Sequence, residues 1–399
     1  MGVTAKVYHS SDQSLPWQDW ESVIKLSNED AFTMDPRFLA CVESSITSPS
    51  KIWYLLFYAD DGTPVASACL SNLQVDLAII AGPVVQQVME KLRKLLSSLL
   101  YMNVMFCGQP VSLGQKNLLF TPQANPEEVL AELDKLMCKL AREEKGRFLV
   151  YKEHGEQDVE NLHSLGQLGY QQVESLDMNI FDEPFEDFDH YLSSLSSHYR
   201  YDVRRSLRKL DRDGVEVQRW TDAETICELY TEELHKLYLA VVGRSESKLE
   251  ILPLVFFHQL ARQFSGQAAL TGLVKDGRIL AFNWSIRSES KYQFLFCGID
   301  YSVNHKLDLY FNLMYAELGY ALKTSASEIK VGQTAAQFKT RLGCVQRPLH
   351  LYIKGAGVFT RLLMKFFSGL LFPVRESVQA ANIYNSKYRA SDNPGPGQA

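Results

Sequence analysis

The chain has 399 residues, of which 46% are hydrophobic and 22% charged, and its formal net charge is −6. This length is sufficient for two or three domains that each bury a core. The negative charge argues against a dedicated nucleic-acid-binding protein, and the seven scattered cysteines show no CxxC pair or zinc-type spacing, so we predict no metal site.

The amino-terminal residues 1–15 are polar and lack the apolar segment of a signal peptide. No run of 18 apolar residues occurs, so we expect no membrane-spanning helix. The odd number of cysteines fits a reducing compartment, and we therefore predict a cytoplasmic protein.

Two stretches of the chain share one pattern. Residues 53–70 (WYLLFYADDGTPVASACL) and 270–286 (LTGLVKDGRILAFNWSI) each contain an apolar strand, an Asp-Gly turn and a second apolar strand. This pattern is typical of a β-hairpin. The sequence therefore predicts one hairpin in each half of the chain.

Helices and strands surround both hairpins in the same order. Helices are predicted before them at 17–28, 36–46, 222–242 and 249–264. After each hairpin come further strands, a helix at 126–144 or 305–323, and a last strand at 147–152 or 328–331. The shared order predicts an α/β unit that occurs twice.

The acidic stretch DEPFEDFDH at 182–190 is the predicted boundary between the two units. We predict an N-terminal unit at 1–185, a C-terminal unit at 186–354, an amphipathic helical extension at 355–390 and a disordered tail at 391–399. The tail, SDNPGPGQA, is polar and rich in proline and glycine, which is typical of disorder.

This order of elements resembles the GNAT N-acetyltransferase fold in tandem, and in particular the Fem-like acyltransferases with their peptidoglycan aminoacyltransferase relatives. The resemblance spans most of 30–354. The segments that carry it are SSHYRYDVRRSLRKLDRDGVEV at 196–217, GLVKDGRILAFNWSI at 272–286, GQTAAQFKTRLG at 332–343, FCGQPVSLGQ at 106–115 and LGYQQVESLDMNI at 168–180. It implies two tandem GNAT-like units, the first degenerate, each with a mixed, largely antiparallel central sheet flanked by helices.

The resemblance also implies an acyltransferase that moves an acyl or aminoacyl group to an amine or hydroxyl. The donor is open between acyl-CoA and aminoacyl-tRNA, and the acceptor between a small molecule and a precursor of peptidoglycan or another cell-envelope polymer. The coenzyme A signature Q/R-x-x-G-x-G/A is absent, because no glycine lies between Gly298 and Gly319. This absence favours the alternative, a non-catalytic GNAT-fold protein that binds an anionic or lipid-linked ligand.

Lys339 is the central catalytic candidate. Acyl transfer requires stabilisation of an oxyanion and a proton for the leaving group. The pair Phe338–Lys339 resembles a Phe-Lys pair of Fem-type transferases, which implies that Lys339 stabilises the oxyanion or a donor phosphate. The alternative is an exposed helix lysine. Gln333 and Thr334, at the end of a predicted strand, are expected to bind substrate.

Two further residues are candidates for proton transfer. Asp300 ends a predicted strand and could act as a base, with a turn cap as the alternative. Tyr310, like Tyr315, lies on the next predicted helix and could act as an acid, with packing as the alternative. Cys297 lies in an apolar strand, so we expect it to be buried and inert.

A phosphate-binding position is predicted after the strand that contains Cys297. In a GNAT fold this strand diverges from its neighbour, and the next helix offers backbone N–H groups to a pyrophosphate. We expect Asn304 to cap a helix that begins near His305, and Asn304, His305 and Lys306 to contact the donor.

A basic helix opens the second unit. Arg200, Arg204 and Arg208 recur every four residues, and guanidinium groups suit phosphate or carboxylate oxygens. This helix could hold an anionic acyl carrier, a lipid headgroup or a nucleotide-linked sugar. The alternative is a solvated helix face whose arginines pair with neighbouring aspartates.

The segment 355–374 (GAGVFTRLLMKFFSGLLFPV) has a broad apolar face opposite two cations. A helix of this kind could lie at a membrane interface, which would place the protein at the inner face of the membrane. The alternatives are docking on the protein and a contact between two copies.

Overall fold

The structure is a computed structural model that describes residues 2–10, 14–29, 31–45, 50–76, 101–244, 251–288, 290–324, 326–358, 360–362, 364, 378 and 381–388. These residues form two compact units. Unit 1 lies within 1–177, 246–259 and 348–376, and unit 2 lies within 178–245, 260–347 and 377–399.

The described residues contain fifteen strands. They are β1 (Thr4–His9), β2 (Lys51–Tyr58), β3 (Pro64–Asp76), β4 (Tyr101–Cys107), β5 (Leu118–Phe120), β6 (Phe148–Gly155), β7 (Gln171–Glu174), β8 (Met178–Phe181), β9 (Glu216–Trp220), β10 (Ala268–Lys275), β11 (Arg278–Arg287), β12 (Lys291–Ile299), β13 (Glu328–Gly332), β14 (Val345–Arg347) and β15 (Leu349–Gly355).

Twelve α-helices have both ends within the described residues, and further helical residues occur at 358, 360–362, 364 and 386–388. The twelve helices are α1 (Trp17–Leu26), α2 (Pro36–Glu43), α3 (Pro126–Glu143), α4 (Val159–Leu162), α5 (Phe188–Ser194), α6 (Ser197–Asp213), α7 (Ala223–Leu229), α8 (Glu232–Arg244), α9 (Leu254–Gln263), α10 (Tyr301–Leu307), α11 (Leu309–Leu322) and α12 (Ala336–Leu342). The helices predicted at 222–242 and 305–323 are therefore two helices each.

The sheet of unit 1 has the strand order β1–β2–β3–β4–β6–β15–β7, with β5 paired to β3. β2 and β3 form the first predicted hairpin, and β4 and β6 are parallel. α3 begins at a side-chain cap on Asn125 and buries Val129, Leu133 and Met137 in a core shared with the sheet. Burial of this apolar face stabilises the helix on the sheet.

The sheet of unit 2 has the order β14–β8–β13–β12–β11–β10–β9. β10 and β11 form the second predicted hairpin. Leu309, Leu313 and Leu318 of α11 are buried in the core of this unit. As in unit 1, the sheet is largely antiparallel and contains one parallel pair, β12 with β13.

The parallel strands β12 and β13 diverge, as expected for the second unit. Their pairing runs from Lys291–Glu328 to Gln293–Lys330 only, although β12 continues to Ile299 and β13 to Gly332. The register of β12 against β11 also shifts between Trp284 and Ser285. The carboxyl ends of β12 and β13 therefore leave an opening in the backbone ladder.

A buried polar network lies at the other end of β12. Glu317 is fully buried, and its Oε1 lies 3.0 Å from Arg219 Nη1. The hydroxyl of Tyr292 donates to the same carboxylate, and Arg219 also donates to Thr271. This network connects α11 to strands β9, β10 and β12 inside unit 2.

The two units differ from the predicted ranges 1–185 and 186–354 in three places, one of which is 246–259, a segment of unit 1 within the predicted second unit. β8 lies before the predicted boundary but pairs with β13 and β14 in the second sheet. β15 lies in the predicted second unit but pairs with β6 and β7 in the first sheet. Pairing between segments that are distant in sequence determines both positions, and local composition does not carry that information.

Most of the predicted helix at 355–374 and the whole predicted tail at 391–399 lie outside the described residues. Both therefore stay predictions. In the part of the chain that the structure describes, no helix has the length and apolar character needed to cross a bilayer.

Candidate functional site

Gly332 shapes the carboxyl end of β13. Its φ of +93° lies in the left-handed region, which glycine adopts without steric cost. A Cβ atom at this position would lie 3.3 Å from the Nζ atom of Lys339. Because Gly332 has no side chain, there is room beside it for the Lys339 amine.

Lys339 is buried, with 4% of its surface exposed, so it is not the exposed helix lysine of the alternative interpretation. Its Nζ atom makes no hydrogen bond or ion pair with any residue that the structure describes. Burial lowers the pKa of Lys339 to about 8, and the neighbouring Cys344 and Cys297 partly oppose this shift. At neutral pH the site thus contains a poorly solvated ammonium group.

Phe338 holds this lysine in place through its aromatic neighbours. Its ring centroid lies 4.5 Å from that of Phe311 and 5.1 Å from that of Tyr310, in edge-to-face geometry. Such pairs contribute stability beyond the area that they bury. Phe338 therefore attaches α12 to α11 and has a positioning role in this arrangement.

Gln333 and Thr334 follow β13 directly and form the connection to α12. Gln333 is half-buried, and Thr334 is exposed. Ala335 has a φ of +57° and precedes the first residue of α12. The structure thus brings Gln333, Thr334, Phe338 and Lys339 together at the end of one strand.

Tyr310 lies on α11 and is half-buried. Burial raises the pKa of its hydroxyl above the ordinary value, so the group stays protonated. Among the described residues the hydroxyl has no hydrogen-bond partner. Tyr310 therefore presents a protonated hydroxyl, whereas Tyr315, only 8% exposed, fits the packing interpretation.

Cys297 is half-buried beyond the last β12–β13 pair, so it is more exposed than predicted. Burial nevertheless raises the pKa of its thiol to about 11. The thiolate is the reactive form of cysteine, and it is scarce at neutral pH under these conditions. Cys297 is therefore a poor nucleophile, in agreement with the expectation that it is inert.

Asp300 caps the helix that follows β12. Its Oδ1 atom accepts the N–H of Ser302 at 3.0 Å, and its Oδ2 atom lies 2.9 Å from Arg278 Nη2. Both carboxylate oxygens are therefore engaged. These contacts favour the turn-cap alternative and do not support a role as base.

The helix after β12 begins at Tyr301, so the predicted start near His305 is wrong. Asn304 lies inside α10 and does not cap it; its Oδ1 atom accepts the N–H of Tyr310 at 3.1 Å. The physical reason is the earlier cap, Asp300, for which the sequence left a base and a turn cap as alternatives. Asp300 and Asn304 thus occupy N–H groups near the predicted pyrophosphate position.

The other two residues of the predicted donor-binding group are on the surface of α10. His305 is exposed. Lys306 is exposed as well, and its Nζ atom lies 2.6 Å from Asp213 Oδ1. The side chain of Lys306 therefore contacts Asp213, and no contact between Lys306 and Lys339 occurs among the described residues.

The basic helix, α6, buries Val203 and Leu210 and presents its arginines outward. Arg204 and Arg208 are exposed and have no carboxylate partner among the described residues. Arg200 instead donates to the carbonyl oxygen of Leu195 at 2.9 Å. Two of the three predicted arginines are thus available to an anionic ligand.

Sequence reasoning missed Asn179 of β8. Its side chain is fully buried, and its Nδ2 atom donates to the carbonyl oxygen of Gly332 at 2.7 Å across 153 residues of sequence. Its Oδ1 atom is buried without a hydrogen-bond partner among the described residues. The only signal in the sequence is a polar residue within the apolar stretch from Met178 to Phe181.

Within the described ranges, no group of three or more histidine, cysteine, aspartate or glutamate side chains has the arrangement of a metal site. The candidate site instead contains the Lys339 amine, the Tyr310 hydroxyl and the Asn179 amide, with the thiols of Cys297 and Cys344 beside Lys339. This set is suited to hydrogen bonding and charge stabilisation.

Comparison with protein families matches residues 197–340 to the Acetyltransferase (GNAT) domain. Comparison with curated protein sequences found no match. Among solved structures, FemX is similar with a TM-score of 0.54 and 13% identity, covering 90% of this chain and 99% of FemX. A tandem GNAT protein from the clavulanic acid biosynthesis pathway has a TM-score of 0.51 and 11% identity, covering 89% of this chain and 99% of its own.

At these identities the similarity establishes the fold. It confirms the predicted tandem of GNAT-like units with mixed, largely antiparallel sheets. Residues 197–340 contain α6, the second hairpin, the diverging strands and Lys339. Residues 197–340 therefore match a GNAT acetyltransferase domain, and the fold of the chain is similar to those of FemX and of a tandem GNAT protein.

Proposed function

We propose that the protein is an acyltransferase that moves an acyl or aminoacyl group from a thioester or ester donor to an amine or hydroxyl. The observation that carries this proposal is Lys339, a buried ammonium without a partner among the described residues, beside Gly332 at the end of β13. A fixed positive charge in a poorly solvated site stabilises a developing oxyanion strongly.

In the proposed reaction the acceptor nitrogen or oxygen attacks the acyl carbon, and the new bond forms as the carbonyl electrons move to oxygen. The Lys339 ammonium faces that oxyanion. When the intermediate collapses, the C–S or C–O bond to the carrier breaks, the acceptor releases one proton to water, and the carrier gains one from Tyr310, which is then reprotonated from water. Tyr310, which stays protonated, supplies the proton to the carrier.

The donor is proposed to be acyl-CoA or aminoacyl-tRNA. Both carry phosphates, which the exposed Arg204 and Arg208 on α6 suit. Gln333 and Thr334, which follow β13, are proposed to contact the substrate. Because Asp300 and Asn304 occupy N–H groups near 301–306, the diphosphate of coenzyme A is not proposed to bind at that segment.

The acceptor is proposed to be a cell-envelope precursor, such as one of peptidoglycan, or a small amine. The Fem-like fold supports the first class. We also propose a cytoplasmic location, with peripheral membrane contact through 355–374 if the acceptor is linked to lipid.

The test combines binding and transfer. Acetyl-CoA and an aminoacyl-tRNA are titrated separately in thermal unfolding, because a ligand that binds the native state raises the melting temperature. Transfer to small amines is then followed by mass spectrometry for wild type, Lys339→Ala and Lys323→Ala, whose lysine is exposed on the same unit. We expect only Lys339→Ala to lose transfer by about 10²-fold or more.

An unaltered rate in Lys339→Ala would remove the proposed role of this lysine. The second candidate function, a non-catalytic binder of an anionic ligand, is favoured by the absence of glycine between Gly298 and Gly319. If this second function is correct, one of the ligands raises the melting temperature of wild type, and wild type transfers no acyl group.

A further inference from the structure

We propose that Asn179 is a second substrate-contacting residue of the transfer site. Its Oδ1 atom accepts a hydrogen bond from the attacking amine or hydroxyl, while Lys339 Nζ faces the oxygen of the acyl group. The substrate contact rests on the proposed function, whereas the closeness of the two side chains can be tested without it.

The two side chains meet at Gly332. Asn179 Nδ2 lies 2.7 Å from the Gly332 carbonyl oxygen, and Lys339 Nζ lies 3.3 Å from the position of a Cβ atom on the same residue. They come from β8, which pairs with β13, and from α12, which follows β13 in the chain and packs against β8. Because Gly332 has no side chain, no Cβ atom of that residue occupies the space beside Lys339 Nζ.

The direction of the Asn179 amide follows from its contacts. The carbonyl oxygens of Gly332 and Gln333 lie 2.7 Å and 3.4 Å from Nδ2, and a carbonyl oxygen can only accept a hydrogen bond. Exchanging Nδ2 and Oδ1 would bring two oxygens together without a proton. Oδ1 is therefore the amide atom left for another group.

The site thus contains one acceptor atom that is buried without a partner among the described residues, Asn179 Oδ1, and one donor, the amine of Lys339, a residue that is 4% exposed. Buried polar groups are almost always hydrogen-bonded, so such a pair requires an explanation. A group that offers an N–H or O–H beside a carbonyl oxygen is complementary to both. An amine or hydroxyl that attacks an acyl carbon has this arrangement of atoms.

Asn179 takes no proton in this scheme. Its Oδ1 atom holds one N–H or O–H of the acceptor, which aims the remaining lone pair at the acyl carbon. After the new bond forms, the acceptor proton passes to water, and the carrier receives one from Tyr310 as it departs. Asn179 therefore positions the acceptor, and Lys339 stabilises the negative charge of the intermediate.

Asn312 offers a matched control within unit 2. Its Nδ2 atom donates to the carbonyl oxygens of Ser206 and Leu307 at 3.0 Å and 2.9 Å, and its Oδ1 atom is also buried without a partner among the described residues. Its contacts are with α6 and α10 and not with Gly332. An Asn312→Asp variant therefore buries the same new charge at a position away from Gly332.

The first experiment measures the pKa of Lys339 by NMR of labelled lysine Nζ in wild type, Asn179→Asp, Asn179→Ala and Asn312→Asp. We expect Asn179→Asp to raise this pKa by about 1–3 units, because a carboxylate beside Gly332 favours the ammonium form of Lys339. Asn179→Ala, which removes the amide dipole, lowers it. Asn312→Asp changes it much less than Asn179→Asp.

An unchanged Lys339 pKa in Asn179→Asp and Asn179→Ala overturns the proposal. If Asn179→Asp does not fold, the test rests on Asn179→Ala alone. A lower Lys339 pKa in that variant supports the proposal, and an unchanged pKa overturns it. These measurements use the full chain without any substrate. They therefore remain decisive about Asn179 if wild type transfers nothing and the proposed function fails.

The second experiment compares transfer kinetics of wild type, Asn179→Ala and Asn312→Ala, using the donor and the small amine that wild type accepts. For Asn179→Ala we expect kcat/KM for the amine to fall at least about tenfold, with KM for the donor unchanged. An equal loss for donor and amine, or an equal loss in Asn312→Ala, means a structural role and overturns the substrate contact.

Discussion

The Nζ atom of Lys339 lies 3.3 Å from the place where a side chain on Gly332 would begin. The burial of the Lys339 amine therefore requires a residue without a side chain at position 332, whose φ of +93° also favours glycine. This relationship explains why a lysine on a short helix can be buried at the end of a strand. It also leads to the first of five predictions.

Replacing Gly332 with alanine should destabilise the protein by about 1–2 kcal/mol through the left-handed backbone, and should also displace Lys339. Gly277→Ala is the matched control, because Gly277 has a φ of +76° and nothing within 4 Å of its added Cβ. Urea denaturation should show similar losses for both variants. Only Gly332→Ala should change the Lys339 pKa or the transfer rate, and equal effects in both would contradict this.

Lys339→Met should stabilise the protein at neutral pH. Burial lowers the Lys339 pKa from 10.5 to about 8, so the folded state binds fewer protons than the unfolded state between these values. The free energy of unfolding of wild type therefore rises with pH across that window. The destabilisation caused by the buried Lys339 ammonium, roughly 3 kcal/mol, is fully present below pH about 8. Denaturation at neutral pH and near pH 10.5 measures it. A less stable methionine variant at neutral pH would refute the expectation.

The transfer rate should fall as pH rises through about 8, because the ammonium form of Lys339 is the form that stabilises the oxyanion. Burial keeps Tyr310 protonated over the same range, so it does not cause the change. A pH–rate profile of kcat provides the measurement. In Lys339→Arg the charge persists, so any remaining activity should lose this decrease; its persistence would assign the titration to another group.

Glu317→Gln should destabilise unit 2 by roughly 3 kcal/mol, because it leaves the Arg219 guanidinium partly buried without its carboxylate. The control is Glu233→Gln, which breaks an exposed pair with Lys236 and should cost less than about 1 kcal/mol. Chemical denaturation of both variants gives the comparison. Equal losses would show that the buried network contributes no more than a surface ion pair.

Arg204→Ala combined with Arg208→Ala should raise KM for a phosphate-bearing donor and weaken its dependence on salt, because two unpaired cations are removed. Arg205→Ala is the control on the same helix, because Arg205 already pairs with Asp202 at 3.3 Å. Stopped-flow or steady-state kinetics at two salt concentrations test this. A larger effect from Arg205 would contradict the proposed anion-binding face.

The predictions that the structure corrected concern features that a short stretch of sequence does not determine. The helix after β12 begins at Tyr301 because the Asp300 carboxylate accepts the Ser302 N–H, a contact that the sequence allowed but did not distinguish from a catalytic role. Likewise, β15 follows the second unit in sequence but pairs with β6 and β7. Both outcomes depend on competition among contacts that are each chemically reasonable.

The sequence by itself determined the two hairpins, the repeated order of helices and strands and the segment that ends in Phe338–Lys339, because turn residues and apolar periodicity act over a few residues. Only the tertiary structure decided that Asn179 meets Gly332 across 153 residues and that Lys339 is buried. Burial and polar pairing are properties of the surroundings of a side chain, and those surroundings exist only after distant strands have paired.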